Sequence, residues 1–153
     1  MKCGKIRRKK MNNKPSTFTP AEKLKTNRGL IKFILLNILT FGIYGLVVMS
    51  VISTNINTIA SRYDGKKTTH YLLMAFLFSW LTLGIAPIVW NHKISARIGA
   101  ELKRRGMKYP FGAGSFWGWC VLGSLLFGIG PLVYMHKMFR SMNLLCSHYN
   151  YYG

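Results

Sequence analysis

The chain alternates between long apolar stretches and short basic segments. Three stretches, roughly Leu30–Ser53, Tyr71–Trp90 and Phe116–Met135, are almost entirely apolar and each has 20 residues or more. A helix rises about 1.5 Å per residue, so about 20 residues cross a hydrocarbon core of ~30 Å. Lys32 is the only charged residue within them, near an end where its side chain can reach the polar surface. The pattern predicts helices that lie in a membrane.

The same apolar pattern occurs three times. Leu39–Val47 aligns with Leu81–Val89 and Leu125–Val133, at spacings of 42 and 44 residues. Further aligned positions downstream are Ile52, Ile94 and Met138, then Ile56, Ile98 and Met142, then Asn57 and Asn143. A fixed period of this kind indicates a repeated supersecondary unit.

Each repeat contains a predicted helix break. Gly followed by Ile ends the first apolar helix, and Gly is favoured there because it adopts positive φ. Pro follows three residues later in two of the repeats, where it suits the first turn of a new helix. The predicted break motif consists of Gly42, Ile43, Gly45, Gly84, Ile85, Pro87, Gly128, Ile129 and Pro131. Thr40 and Thr82 precede two of the breaks and are placed to bond a carbonyl one turn earlier.

These elements predict an all-α, polytopic integral membrane protein of three tandem helix–break–helix repeats, with about six helical pieces in three membrane segments. The repeats cover about residues 29–65, 69–108 and 115–150, within one membrane domain of residues 29–150. Residues 1–28 are polar and lack apolar periodicity, which predicts a disordered basic tail on the cytoplasmic side.

Two topologies are compatible with the repeats. If each repeat crosses once, residues 1–28 and 91–115 share one side and carry 16 Lys and Arg residues, against 5 on the other. The positive-inside rule then places the N-terminus in the cytoplasm, and this asymmetry favours three spans in the cell membrane. Alternatively, each repeat is a re-entrant hairpin with all linkers in the cytoplasm. Direct repeats and first helices too short for a span support the hairpins.

The second helix of the second repeat is amphipathic. Ile94, Ile98 and Leu102 recur every four residues, and basic side chains occupy the other faces. This pattern predicts a helix lying among lipid headgroups, with extension of the helix into water as the alternative. Aromatic residues near the segment ends are typical of an interfacial belt; they are Tyr71, Trp80, Trp90, Trp117, Trp119 and Tyr134.

Composition argues against catalysis. The 153 residues include 22 Lys and Arg but only 3 acids, for a net charge of +19, and half are hydrophobic. The acids Glu22, Asp64 and Glu101 lie outside the apolar segments, and no hydrolase, metalloprotease or phosphate-loop motif is present. The cysteines lack CxxC spacing. We therefore predict no enzyme, and no catalytic, cofactor-binding or metal site.

Four polar residues are candidates for special roles. Asn37 and Ser79 align five residues before the repeat glycine, where they are placed to hydrogen-bond between helices. His92 and His136 occupy equivalent positions just past an apolar run, each followed by Lys. A pair of imidazoles is a candidate proton sensor, and two duplicated interfacial residues are the alternative.

The basic tail predicts a partner. Lipid headgroups lie within a few residues of it, and anionic lipids attract each nearby cation. Nucleic acid is not predicted, because aromatic residues are not interleaved with the charges and no folded reader follows. The bilayer and its anionic headgroups are therefore the predicted partners, with a second copy of the chain or another membrane protein as further candidates.

The repeated motif resembles the bacterial membrane family named domain of unknown function 4234. Leu39–Gly45 (LTFGIYG) is the closest copy, Leu81–Trp90 replaces Tyr with Ala and adds Pro, and Leu125–Tyr134 lacks the Thr. The resemblance covers about residues 28–150 and implies an integral membrane protein without an assigned activity. We expect a non-enzymatic structural, regulatory or interaction component of the membrane. The alternatives are a small channel or transporter subunit, and a membrane-surface adaptor acting through the basic tail.

Overall fold

The computed structural model describes residues 23–125 and 128–153, and these residues form helices and loops without a strand. The predicted all-α class is confirmed. The helices are α1 (Leu30–Leu39), α2 (Ile43–Asp64), α3 (Tyr71–Leu81), α4 (Ile85–Arg104), α5 (113–125) and α6 (Ile129–Tyr152). Helix α3 widens to π geometry at Met74–Phe78, and α5 does so at Phe116–Val121. Residues 1–22, most of the predicted tail, lie outside the described residues.

Each short helix folds back against the long helix that follows it. In the first pair, the Phe33 ring lies 6.2 Å from the Tyr44 ring across the break. In the second, Tyr71 packs edge-on against Trp90 at 4.8 Å. In the third, Phe116 packs edge-on against Tyr134 at 5.6 Å. We call these pairs hairpin 1 (α1–α2), hairpin 2 (α3–α4) and hairpin 3 (α5–α6).

The three long helices form one bundle, and two layers of its core, Ile52/Ile94/Met138 and Ile56/Ile98/Met142, are built from equivalent positions of the repeats. Nine fully buried residues fill it: Ile52, Ile56 and Ile59 from α2, Ile94, Ile98 and Leu102 from α4, and Met138, Met142 and Leu145 from α6. The prediction of a headgroup-lying helix is therefore wrong for α4. Its apolar stripe is satisfied by packing against α2 and α6, which excludes water without a lipid surface.

The long helices α4 and α6 run parallel, as shown by hydrogen bonds between residues that lie equally far from the two helix breaks. Near the breaks, the Tyr134 hydroxyl of α6 donates to Asn91 of α4 at 3.2 Å. At the far end, Arg105 contacts the His148 ring of α6, with 2.7 Å between nitrogens. Helix α2 has the same direction, because Tyr63 near its end lies under Arg104 near the end of α4, 3.4 Å from the guanidinium carbon to the ring centroid. All three breaks therefore lie at one end of the bundle. We call this end the tip half and the other the bundle half.

Asparagine side chains hold the segment that precedes each of two hairpins. Asn57 of α2 bonds both the N–H and the carbonyl of Thr68, at 2.7 and 2.9 Å, just before α3. Its equivalent in α6, Asn143, bonds both groups of Arg28, at 3.1 and 2.9 Å, just before α1. The equivalent residue of α4 is Gly99. There the backbone of the segment before hairpin 3 packs directly on the glycine, where the other two helices have an asparagine side chain. A Cβ added at Gly99 would lie 2.5 Å from the Phe111 carbonyl oxygen.

This arrangement closes the three hairpins into a ring. The last long helix holds the start of the first hairpin, and Asn150 adds a second such clamp, bonding both backbone groups of Leu24 at 2.8 Å. Residues 23–28, which the sequence assigned to the tail, therefore lie extended along α6.

Of the described helices, only α2 is long and apolar enough to cross a membrane, and 44% of its most apolar window is buried within the protein. Helices α1 and α3 are apolar but shorter. The structure therefore contains one candidate span where the sequence predicted three.

Candidate functional site

The surface of the tip half is apolar. Phe41 and Leu83, at the turns of hairpins 1 and 2, are 97% and 95% exposed. Other strongly exposed apolar side chains around the breaks are Ile38, Leu39, Ile43, Phe76, Trp80, Leu81, Ile85, Leu122, Leu125 and Ile129. Soluble proteins rarely expose an apolar surface of this extent, which makes the tip half the candidate interaction surface of the molecule.

The turns of hairpins 1 and 2 each combine two left-handed residues in succession. Gly42, Gly84 and Gly128 have φ of 92°, 87° and 75°. Phe41 and Leu83, directly before the first two, have φ of 49° and 51°, a conformation that costs a non-Gly residue. The strained backbone directs a large apolar side chain outward at the outermost point of each turn.

Threonine satisfies the backbone on both sides of two breaks. Thr40 donates its hydroxyl to the Leu36 carbonyl at 2.7 Å and accepts from the Tyr44 N–H at 2.9 Å. Thr82 repeats this with Phe78 at 2.6 Å and Ala86 at 3.0 Å. One hydroxyl thus serves the end of the first helix and the start of the second. Such internal pairing is what an apolar solvent requires of a broken helix.

The remaining motif residues lie in the first turns of the long helices. Pro87 and Pro131 are three residues past their glycines, and Gly45 has the equivalent place in hairpin 1. A Cβ on Gly45 would lie 2.7 Å from Asn37 Oδ1. That oxygen accepts the Gly45 N–H at 2.8 Å, so Asn37 joins the two helices of hairpin 1.

The other predicted polar residues have different surroundings. Ser79 donates to the Met74 carbonyl of its own helix at 3.2 Å and does not join two helices. His92 is half-buried and accepts at Nδ1 from the Trp117 indole at 3.0 Å. His136 is exposed, and no hydrogen bond or ring contact joins it to His92 within the described part of the chain. The structure does not bring the two histidines together.

The bundle half carries an ionic network around Arg97, whose side chain is 9% exposed, while that of its partner Asp64 is 30% exposed. Its guanidinium binds both oxygens of Asp64, at 2.7 and 3.0 Å, and also Thr68 Oγ1 at 2.7 Å. The hydrogen bond and charge of Arg97 hold the pKa of Asp64 below its ordinary value, against the opposing effect of burial. The network fastens the loop between hairpins 1 and 2 to α4.

A second cluster surrounds Glu101 at the end of the bundle. Glu101 pairs with Arg104 and with Arg105, whose side chain is only 3% exposed. Burial alone raises the pKa of Glu101, but the two arginines outweigh it and the net pKa is lowered. Arg104 also lies over the Tyr63 ring, 3.4 Å from its centroid. Burial and then the charge of Arg105 lower the pKa of His148.

Sequence reasoning missed both ionic clusters and the asparagine clamps. Asn57 and Asn143 aligned in the repeats, which was the available signal, but pairing with a distant backbone has no local pattern. The described residues contain no group of three or more His, Cys, Asp and Glu side chains suited to a metal. The two aromatics Trp90 and Tyr134, expected in an interfacial belt, are buried instead.

Comparison with known proteins identifies a sequence family. No curated protein and no solved structure matches the chain. Residues 28–100, which include hairpin 1 and most of hairpin 2, match a family of unknown function. It is the family that the repeated motif predicted, so that prediction is confirmed. Residues 28–100 match the model of the family described as Domain of unknown function (DUF4234), and this match is a similarity over slightly less than half of the chain.

Proposed function

We propose that this protein is a non-enzymatic membrane component that inserts three helical hairpins into one leaflet and presents its bundle half to the cytoplasm. The observation that carries the proposal is the apolar surface of the tip half, which Phe41 and Leu83 extend into solvent with almost complete exposure. Transfer of this surface from water to lipid is favourable at about 25 cal/mol per Å².

The depth of the tip half supports insertion into one leaflet. Lys93 and Lys137 lie nine residues past Gly84 and Gly128, and the surface becomes polar at this level. Nine residues of helix measure about 14 Å, close to half of a hydrocarbon core of ~30 Å. Lys137 lies over the Trp119 ring at 5.7 Å, a combination suited to the headgroup region.

The fold supports hairpins rather than three spans. A hairpin returns the chain to its starting side, so three direct repeats keep one orientation and their long helices can pack in parallel. If the three segments crossed the membrane in alternating directions, α4 and α6 would be antiparallel. They could not then form both the Asn91–Tyr134 contact near the breaks and the Arg105–His148 contact at the far end.

The distribution of buried polar groups supports an anchor rather than a channel. Five of the six buried polar and charged side chains of the described residues lie in the bundle half, namely Ser53, Asn55, Ser95, Glu101 and Ser141, and the sixth, Ser50, lies at the boundary, one residue before the level of Lys93 and Lys137. A conducting path needs polar groups at membrane depth. The polar groups at that depth, such as Thr40 and Thr82, are engaged with backbone atoms of the breaks.

Accessibility labelling tests the topology. Cysteines are introduced one at a time at Lys67, Lys108 and Ser147 of a chain with Cys3→Ser and Cys120→Ser, in which the remaining Cys146 is fully buried. A membrane-impermeant maleimide is applied to sealed vesicles, and the chain without an introduced cysteine gives the background labelling. Hairpins predict that all three sites are labelled from the same side. Labelling of Lys108 from the side opposite to Lys67 and Ser147 would establish three spans and overturn the hairpin arrangement.

Liposome flotation tests the tip half. We expect the F41Q/L83Q double variant to float less than the original chain, because two fully exposed apolar side chains no longer enter lipid. The matched control is Leu144→Gln, which changes an exposed apolar residue in the bundle half. Equal flotation of the double variant and the original chain would contradict insertion by the tips.

A further inference from the structure

Hairpin 1 contains a cavity between its two helices. It has a volume of about 330 Å³ and lies between the start of α1 and the middle of α2. Its inner wall is apolar and includes Phe33, Val47, Val48, Val51 and Phe139. Its rim contains the polar and basic residues Lys25, Asn27, Arg28 and Lys32.

One residue difference among the repeats explains the cavity. Val48 aligns with Trp90 of hairpin 2 and Tyr134 of hairpin 3 at the same spacings of 42 and 44 residues. Trp90 fills its hairpin, packing on Tyr71 and donating its indole N–H to the Thr69 carbonyl at 2.9 Å. Tyr134 is buried among aromatic rings and bonds Ser95 at 2.8 Å. Valine is too small to fill the same space.

The rim carries positive charge without a described acidic partner. The ion pairs of the described residues use Arg97, Arg104 and Arg105, and none uses Lys25, Arg28 or Lys32. Helix α1 also begins at the rim, after Gly29, without a side-chain cap or an acid in its first turn. Its free N–H groups add a partial positive charge to that of the side chains.

Arg28 is held in place at the rim. Its backbone is held by Asn143, and its guanidinium donates to the Lys25 carbonyl at 2.6 Å and contacts Cys146 Sγ at 3.7 Å. Lys25 and Lys32 are exposed at the rim, so their ammonium groups are free to approach a ligand.

The cavity lies at the boundary between the two halves of the molecule. Val51 aligns with Lys93 and Lys137, the residues that mark the polar level in hairpins 2 and 3. In hairpin 1 the cations at this level are Lys25, which precedes α1, and Lys32, in the first turn of α1. A ligand there meets cations at the headgroup level and an apolar wall below it.

We propose that this cavity binds a single anionic phospholipid, with its phosphate at Lys25 and Lys32 and one acyl chain against the wall formed by Phe33, Val47 and Val51. The shared chemistry of the site is a phosphate monoanion or dianion, and the apolar wall selects a phosphate that carries an alkyl chain. This inference rests on the proposed membrane insertion for its physiological source of lipid, but the cavity itself can be tested in solution.

The test uses the purified full-length chain in a neutral detergent and soluble short-chain lipids. Native mass spectrometry measures retention of dihexanoyl phosphatidylglycerol and dihexanoyl phosphatidic acid. The comparison ligands are dihexanoyl phosphatidylcholine, glycerol 3-phosphate and inorganic phosphate. We expect one anionic lipid retained per chain, with weaker retention of the zwitterionic lipid and of both chain-free phosphates.

Two variants address the two parts of the site. Val48→Trp introduces the side chain that hairpin 2 has at the equivalent position, and we expect it to abolish lipid retention by filling the cavity. Its matched control is Val89→Trp, at a partly exposed position of hairpin 2. The K25Q/K32Q double variant keeps the cavity, and we expect about thirtyfold weaker binding from the loss of two cations.

The outcomes separate this inference from the proposed function. Retention of anionic lipid by V48W equal to that of the original chain overturns the lipid site, whereas V48W should float with liposomes as the original chain does. Equal retention of inorganic phosphate overturns the lipid assignment in favour of a soluble anion. Thermal unfolding shows whether V48W is folded. If it is not, the K25Q/K32Q variant alone tests the site, and unchanged lipid retention by that variant overturns it.

Discussion

Apolar side chains of similar size have opposite environments in the tip half and the bundle half of the same helices. Ile43, Ile85 and Ile129 begin the long helices and are about three-fifths exposed. Nine residues later, Ile52, Ile94 and Met138 are completely buried. Each long helix therefore changes its environment within two and a half turns. In one half its apolar residues pack on protein, and in the other they face outward.

This difference separates the interactions that stabilise the fold from those that we assign to binding of the membrane. Packing and buried ion pairs in the bundle half hold the three hairpins together. The exposed apolar residues of the tip half add little to that packing, so we assign their free energy to contact with lipid. Substitutions should consequently change unfolding in one half and membrane association in the other.

The largest expected effect lies in the Glu101 cluster. Glu101→Gln removes the carboxylate that pairs with the buried Arg105, and an uncompensated buried charge costs about 3–5 kcal/mol. Denaturant unfolding in detergent, followed by circular dichroism, measures the loss. Lys103→Gln, an exposed change on the same helix, is the control and should alter stability by less than about 0.5 kcal/mol. Equal effects of the two changes would argue against a structural role for the pair.

A matched pair of isoleucines on α4 tests the two halves directly. Ile98 is completely buried and Ile88 is 45% exposed. Ile98→Ala should cost about 2–5 kcal/mol in unfolding free energy, because it leaves a cavity in the core. Ile88→Ala should leave unfolding nearly unchanged and weaken liposome flotation instead. If Ile88→Ala destabilised the protein as much as Ile98→Ala, the separation of the halves would be wrong.

A smaller effect is expected at the turn of hairpin 2. Gly84 has φ of 87° with open space around it, so Gly84→Ala costs only the left-handed conformation, about 1–2 kcal/mol. Gly114→Ala is the control, since that glycine is helical and also has open space. There Ala should be neutral or stabilising. Thermal unfolding of both variants measures the difference, and equal destabilisation would contradict the role of the left-handed turn.

The smallest effect is a pH dependence confined to the bundle half. The lowered pKa of His148 means that the unfolded chain takes up a proton first, so stability falls as the pH drops below about 6.5. The lowered pKa values of Asp64 and Glu101 stabilise the fold above their ordinary values and lose this contribution at lower pH.

Melting temperatures measured from pH 7.5 to about pH 2 should therefore decline in two stages, because the carboxylate contribution is lost only below the ordinary pKa values of Asp64 and Glu101. The His148→Gln variant should lack the first stage and keep the second. A first stage that persists in this variant would assign it to another group.

The helix breaks could be predicted from sequence because their causes are local. Glycine in the left-handed region and proline in the first helical turn determine where a helix ends and begins, and Gly84 with Pro87 shows both. The back-bonding of Thr40 and Thr82 was also predicted correctly, since it involves a carbonyl only four residues away.

The packing could not be predicted from the same residues. Ile43 and Ile52 have the same side chain and opposite environments, so apolar character alone does not distinguish lipid-facing from core positions. The amphipathic stripe of α4 was recognised, but its partner was not, because a parallel bundle depends on contacts between distant repeats. The clamps of Asn57 and Asn143 depend on the same long-range arrangement.

The asparagine clamps have a consequence for biosynthesis. The contacts of Leu24 with Asn150 and of Arg28 with Asn143 span 126 and 115 residues, so they form only after almost the whole chain has left the ribosome. Contacts between such distant residues form slowly, because the loop between them must first be ordered. Hairpins 1 and 2 can form earlier, while α6 is still missing. The last helix to be made is thus the one that locks the first hairpin in place.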